Sequence, residues 1–247
     1  MYFTTSWDDG HPLDMRLADL LSRYEFAATL YVPVTNREGL PVLTRSQLIE
    51  LDPKFEIGSH TLDHAYATSM SSSDWARQVV DGKAALEDGL GHEVHGFCYP
   101  GGKMKQDSRQ IVESAGFRYG RTVANFFADC EGDAFLMPTT LQFYPHTRAV
   151  LIRNFLRGGH WSRRWSAWHA AMSSLDLQSR LRASLENVIK RDGVFHLWGH
   201  SWEIEAINGW GALEEFLAFA NDRVPKESRV TNAELACRPR QLVPHIG

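Results

Sequence analysis

Apolar positions change their period repeatedly along the first half of the chain. MYFTTSW (1–7) reads as a strand, and in PLDMRLADLLSRY (12–24) Leu13, Leu17, Leu20 and Leu21 recur at helical spacing. AATLYVPV (27–34) is a second strand, and TRSQLIEL (44–51) a short helix with Thr44 as its N-cap. FEIGSH (55–60) is a third strand. SSSDWARQVVDGKAALEDGLG (71–91) opens on cap-type serines and closes on Gly89 and Gly91, so both ends of a helix are marked. VHGFCYP (94–100), QDSRQIVESAG (106–116) and FRYGRTV (117–123) continue as strand, helix, strand. This βα rhythm predicts parallel strands with helices packed outside them.

Beyond residue 125 the rhythm loosens. FLMPTTLQFYPH (135–146) holds short strands, and LQSRLRASLENVIKRDG (177–193) is a helix. GVFHLWGHSW (193–202) is a late buried strand, ALEEFLAFAND (212–222) a helix, and the tail RPRQLVPHIG irregular. No repeat, low-complexity block or linker divides the chain, so the expectation is one domain over 1–247. Within it, the stretch near 150–172 is divergent, basic and rich in tryptophan.

Composition narrows the classes without choosing among them. A hydrophobic fraction of 43% suffices for a core, and a net charge of −4 offers no general attraction to nucleic acid. Cys98, Cys130 and Cys237 are far apart and odd in number, which suggests neither a disulfide framework nor a thiolate zinc site. No apolar run is long enough to span a bilayer, and an acidic pair at residues 8 and 9 interrupts the space a secretory signal would fill. The expected location is the cytoplasm.

The chemistry concentrates where strands end. Asp8 and Asp9 in SWDDG follow the first strand, and two adjacent carboxylates repel unless something offsets their charge. A plain Asp-Gly turn is the competing account. His60 and His64 in SHTLDH follow the third strand, four residues apart, a spacing that puts both on one face of a helical turn. In an α/β barrel those strand ends converge on one mouth. One carboxylate and two imidazoles then make a three-ligand site with an open position, the pattern of catalytic zinc, and the second carboxylate is left as a base.

In these residues the chain resembles the polysaccharide deacetylases with a NodB-like domain. SWDDG is similar to that family's first motif, and HTLDH to its second. The resemblance implies a distorted seven-stranded (β/α) barrel and one divalent metal ion, most simply Zn2+ with Co2+, Ni2+ or Fe2+ as alternatives. It assigns Asp9, His60 and His64 to the metal and Asp8 to the base. The late strand, HLWGHSWE, is similar to the family's Leu-x-His segment, which implies His200 as general acid with His196 competing for the role. Tyr99, Gly101, Trp198 and Glu203 are expected to hold the oxyanion or the substrate.

The resemblance has gaps. FCYPGG places Cys98 where the family has an arginine that orients the base, leaving Arg118, Arg121 or another residue to serve. No residue matches the aspartate of the fourth motif.

The implied reaction is removal of an N-acetyl group from an amino sugar. With export absent, the expected substrate is a nucleotide- or lipid-linked precursor of envelope polysaccharide, such as O-antigen. A deformylase or other amide hydrolase on the same barrel and a non-catalytic carbohydrate-binding protein are the alternatives. Trp161, Trp165 and Trp168 share helical spacing among Arg153, Arg157, Arg163 and Arg164. They read either as a helix packed on the core with a solvated basic side, or as a platform for a sugar diphosphate or a peripheral membrane contact. Oligomeric state is not legible.

Overall fold

The computed structural model describes residues 1–174 and 176–238. Most of the irregular tail expected at 238–247 lies outside the described residues. Seven strands, β1 (Tyr2–Asp8), β2 (Thr29–Val32), β3 (Glu56–Ser59), β4 (Gly96–Cys98), β5 (Tyr119–Arg121), β6 (Leu141–Gln142) and β7 (Val194–Gly199), form one sheet in the order β5-β4-β3-β2-β1-β7-β6. Every pairing is parallel. The sheet curls until its edges nearly meet. Met137 closes onto β5 by accepting from Thr122 N–H and donating to Gly120 O, both at 2.9 Å, while Thr140 N–H donates to His196 O at 2.9 Å. The result is the distorted (β/α) barrel that the resemblance implies, built from the parallel strands that the βα rhythm predicts.

β1 shows why such strands are buried on both faces. Phe3 turns outward into a cluster with Phe26, Phe195 and Phe216 under the helices. Thr4, Ser6 and Asp8 alternate inward, and each meets a polar partner across the barrel. Thr4 Oγ1 donates to Asn232 Oδ1 at 2.8 Å, Ser6 Oγ lies 2.8 Å from His196 Nε2, and Asp8 pairs with Arg121. The interior is thus a column of polar groups, largely paired with one another, rather than an oily plug. Its lower end is closed by the short helix Asn232–Ala236, where Asn232 Nδ2 donates to Tyr31 Oη at 2.9 Å and Ala233 N–H to Glu56 Oε2 at 2.9 Å.

His196 therefore belongs to the core and not to the mouth. Its Nδ1–H donates to Pro138 O at 3.0 Å, which leaves Nε2 to accept from Ser6. Burial, with the Arg121 charge behind it, pushes this imidazole down to about 3. Between pH 6.5 and about 3 the unfolded chain binds a proton here that the folded chain refuses. The contribution is complete above 6.5 and is lost as pH falls through that window. We predict that His196→Asn flattens the pH dependence of unfolding free energy there, by up to ~1.4 kcal/mol per pH unit. Parallel urea titrations across the window check this; equal slopes in the two proteins would refute it.

Two helices brace the site. Thr44 forms a full capping box with Gln47 at the start of the helix Arg45–Leu51, and Ser71 caps the helix Ser72–Leu90, which ends at Gly91 in the left-handed region (φ 81°). Gly82, inside the longer helix, lets it rest on the backbone that carries the histidines: a Cβ there would sit 2.6 Å from the Thr61 carbonyl carbon. Leu62 N–H donates to Gln78 O at 2.9 Å across the same contact.

The tryptophan-rich stretch is a helical hairpin, Arg148–Arg157 and Trp161–Met172. The tryptophans do not form one exposed face: Trp165 leans on Trp168, with ring centroids 5.2 Å apart. Trp168 stacks on buried Phe155 at 4.6 Å, whereas Trp161 and Trp165 are 58% and 56% exposed. Nor is the basic side wholly solvated. Arg164 is buried and donates to Asn154, Phe155, Gly159 and Asn125 carbonyls, and Arg163 pairs with Asp129. Two of the four arginines expected for a diphosphate platform are thus committed to the fold. No helix among the described residues is long and apolar enough to cross a membrane.

Candidate active site

The C-terminal ends of β1, β3 and β7 open on one mouth, and the sequence-predicted ligands meet there. Asp8 is the last residue of β1. The chain then turns sharply, with Asp9 at φ 76° and Gly10 at φ 55°. The glycine is required, since a Cβ at position 10 would lie 2.6 Å from Val32 Cγ1. This turn aims the two carboxylates in different directions. The Asp-Gly turn and the functional pair are therefore one feature, not competing ones.

Asp9 is 3% exposed. Its Oδ2 accepts from Trp202 Nε1–H at 2.9 Å. Its Oδ1 is buried with no hydrogen bond and faces His64 Nε2 at 3.2 Å and His60 Nε2 at 3.6 Å. The three side chains offer ligand atoms all within 4.8 Å of one another. His60 Nδ1–H donates to Cys98 O at 2.8 Å, which fixes the tautomer and turns a lone pair on Nε2 toward Asp9. Burial, the largest cause, drives His60 down to about 4, so it is a neutral donor at physiological pH. Burial pushes the Asp9 carboxyl up, but the facing His200, His60 and His64 imidazoles and the Trp202 hydrogen bond more than reverse it, leaving it below the usual carboxylate range. An orphaned carboxylate oxygen facing two imidazole nitrogens fits a divalent cation, with a coordination position left open.

The histidines reach this geometry without a helix. Thr61 and His64 both adopt left-handed backbone, at φ 70° and 61°, and Thr61 Oγ1 accepts from Ala65 N–H at 2.9 Å. The four-residue spacing thus works through a tight loop, contrary to the one-face-of-a-helix expectation.

Asp8 is held separately. Its Oδ1 pairs with Arg121 Nη2, and its Oδ2 receives the Cys98 thiol at 3.7 Å. Arg121 is the last residue of β5, fully buried, with its guanidinium 5.1 Å from both the Tyr31 and Trp198 rings. It takes up the place left by Cys98, one strand over. Arg118, the other arginine considered, instead meets Glu93 at the surface at 3.2 Å.

His200 follows Gly199 at the end of β7. Its Nδ1 lies 2.6 Å from Glu203 Oε2 and its Nε2 3.9 Å from Asp9 Oδ2. Burial lowers His200, yet the Glu203 hydrogen bond and the Asp9 and Asp8 charges outweigh it and raise it to about 9. Glu203 is itself held by Gln142 Nε2 at 3.0 Å, and Gln142 Oε1 accepts from His146 Nε2 at 2.8 Å. Glu203, expected at the oxyanion or substrate, is therefore the partner of His200, and it brings a carboxylate there from the next helical turn.

The remaining expectations divide. Trp198 lines the interior between Arg121 and His200, edge-on to the latter at 5.6 Å. Tyr99 does not serve as expected: its ring is buried and parallel to that of Trp75 at 6.3 Å, and its N–H donates to Arg121 O at 3.2 Å. Gly101, at φ 58°, lies on the exposed rim beside Tyr66. Tyr66 Oη donates to Glu38 Oε1 at 2.5 Å, and Lys103 Nζ sits 3.7 Å above its ring. Glu38 and Tyr66 escaped the sequence reading, and no motif marks them.

Comparison with known proteins follows this geometry. Residues 2–120 match the family model described as polysaccharide deacetylase. Over these residues the chain is similar to the polysaccharide deacetylase family. A peptidoglycan-N-acetylglucosamine deacetylase of Bacillus cereus is 28% identical over 115 residues, covering 46% of this chain and 52% of that one, so the alignment spans about half of the curated relative. Among solved structures, a Mycobacterium smegmatis chain named for polysaccharide deacetylase superposes with a TM-score of 0.65 at 15% identity, over 98% of this chain and 93% of its own. Puue allantoinase superposes with the same TM-score at 12% identity, over 95% and 88%. Both share the fold. The family match contains Asp8, Asp9, His60 and His64 and stops one residue short of Arg121. His200, Trp202 and Glu203 come from the half beyond it.

Proposed function

We propose that this protein is a metal-dependent hydrolase that removes the N-acetyl group from an amino sugar. The observation that carries the reading is the buried, unpartnered Asp9 Oδ1 facing His60 Nε2 and His64 Nε2, with Asp8 on one side and His200 on the other. Asp9, His60 and His64 would hold one divalent cation, and two nitrogens with one oxygen suit Zn2+ while accepting Co2+, Ni2+ or Fe2+. When bound, the cation supplies Lewis-acid polarisation of the acetamide carbonyl and of the attacking water.

The chain's own groups divide the proton work. Asp8, held by Arg121, accepts the proton of the water that attacks the carbonyl carbon. His200, protonated and oriented by Glu203, gives a proton to the nitrogen as the C–N bond breaks. Acetate and the free amine leave, and water is the only co-reactant. The adjacent aspartates thus take different roles because the turn at Asp9 and Gly10 separates them. The N-acetylated amino sugar is the substrate class this arrangement supports.

Metal content of the purified protein, wild type beside His64→Ala, tests the reading. We predict about one divalent ion per chain in the wild type and loss of it in the variant, by plasma mass spectrometry. Acetate release from N-acetylglucosamine oligomers and acetylated nucleotide sugars then reads the reaction. A wild type that takes up no ion after incubation with zinc, cobalt or nickel would overturn the proposal. Amide cleavage confined to formyl or cyclic substrates would place the protein with the deformylating or ring-opening hydrolases.

A further inference from the structure

The Trp202 indole lies against the carboxylate at the centre of the site. It sits two residues after His200, in the first turn of the helix Ser201–Ala206, and its Nε1–H donates to Asp9 Oδ2 at 2.9 Å. The same oxygen lies 3.9 Å from His200 Nε2, and the Trp202 and His200 rings are 5.4 Å apart. Asp9 Oδ1 has no hydrogen-bonding partner.

We infer that Trp202 is a positioning residue that divides the Asp9 carboxylate between two duties. By holding Oδ2, the indole leaves Oδ1 as the single oxygen presented to a cation at His60 and His64. By the same bond it occupies the oxygen that His200 would otherwise reach, so Nε2 of His200 stays directed at the mouth and the leaving amine. An indole suits this work because it donates one hydrogen bond, accepts none and carries no charge. A lysine or arginine at the same place would offset the charge that the carboxylate offers a cation. Partners that orient a metal ligand in this way typically alter metal affinity by about 10- to 100-fold when removed. The inference rests on the reading of Asp9, His60 and His64 as a cation site.

The test is Trp202→Phe, which keeps an aromatic ring and deletes the donor. Zinc affinity, measured by chelator competition, is expected to weaken by about tenfold or more. The visible spectrum of the Co2+-loaded protein should change as both oxygens of Asp9 become free to coordinate. At saturating zinc, kcat should fall while KM holds, because His200 is drawn toward Asp9. Affinity within twofold of the wild type together with a superimposable cobalt spectrum would overturn the inference and leave the cation site standing. A Trp202→Phe chain that fails to fold would also overturn it, by placing the indole's role in stability. Failure of the cation site itself shows differently: neither the wild type nor His64→Ala would then bind zinc or cobalt.

Discussion

Replacing Asp8 by asparagine is expected to lower kcat/KM for N-acetyl hydrolysis by about 10²- to 10⁴-fold, the usual contribution of a general base. The metal should stay in place. Asp8 is engaged by Arg121 and the Cys98 thiol, whereas Asp9 carries the oxygen that faces both imidazoles. Asparagine keeps the shape and can still accept from Arg121 at its amide oxygen, which limits the cost of leaving that buried guanidinium without its counter-charge. Acetate release measured beside metal stoichiometry separates the two aspartates. Lost turnover with full metal supports the division of roles, and unchanged turnover would remove Asp8 from the mechanism.

Arg121→Met is expected to cost more stability than any other single change at the site, about 3–5 kcal/mol, because it strands the Asp8 carboxylate in the barrel interior. Asp8 is 2% exposed and Arg121 fully buried, so solvent cannot make good the missing charge. The aromatic walls formed by Tyr31 and Trp198 would remain, but a thioether offers Asp8 no strong donor. Chemical denaturation gives the single-variant cost. Adding Asp8→Asn should restore much of it, since the pair would then be removed together, and a double-mutant cycle reads the coupling. Simple additivity of the two changes would show that Arg121 does not act through Asp8.

What the sequence disclosed follows from how local each signal is. The strand–helix rhythm and the aspartates and histidines that the fold brings together are written in short contiguous stretches, so both were legible. The Asp8 partner was narrowed to a few arginines and no further, because β1 and β5 lie four places apart in the sheet and only closure of the barrel brings Arg121 to Asp8. Tyr99 was misplaced because strand alternation was not carried to its end: its ring points out to Trp75 under the helices. His196 and His200 were separable only once Ser6 and Pro138 were seen to claim the first. Trp202 needed the start of the helix Ser201–Ala206 immediately after His200, and no periodic pattern announces a helix of six residues. The hairpin at 148–172 was obscured by Arg164, a buried cation that gives three hydrogen bonds to carbonyls at a helix end and two to Asn125 rather than meeting solvent.

The left-handed backbone at Asp9, Thr61 and His64 has a consequence for how this site would be lost. Each is a residue with a Cβ in a conformation that glycine adopts freely, at a cost of order 1–3 kcal/mol apiece. Two of the three are also the residues that face the proposed cation, and Asp9 places a charge in the interior besides. A chain relieved of its chemistry would therefore shed that backbone cost by drifting to glycine at Asp9 and His64, whereas glycine at Thr61 would also give up the oxygen that accepts from Ala65 N–H. Decay of function and relief of strain would run along the same two substitutions.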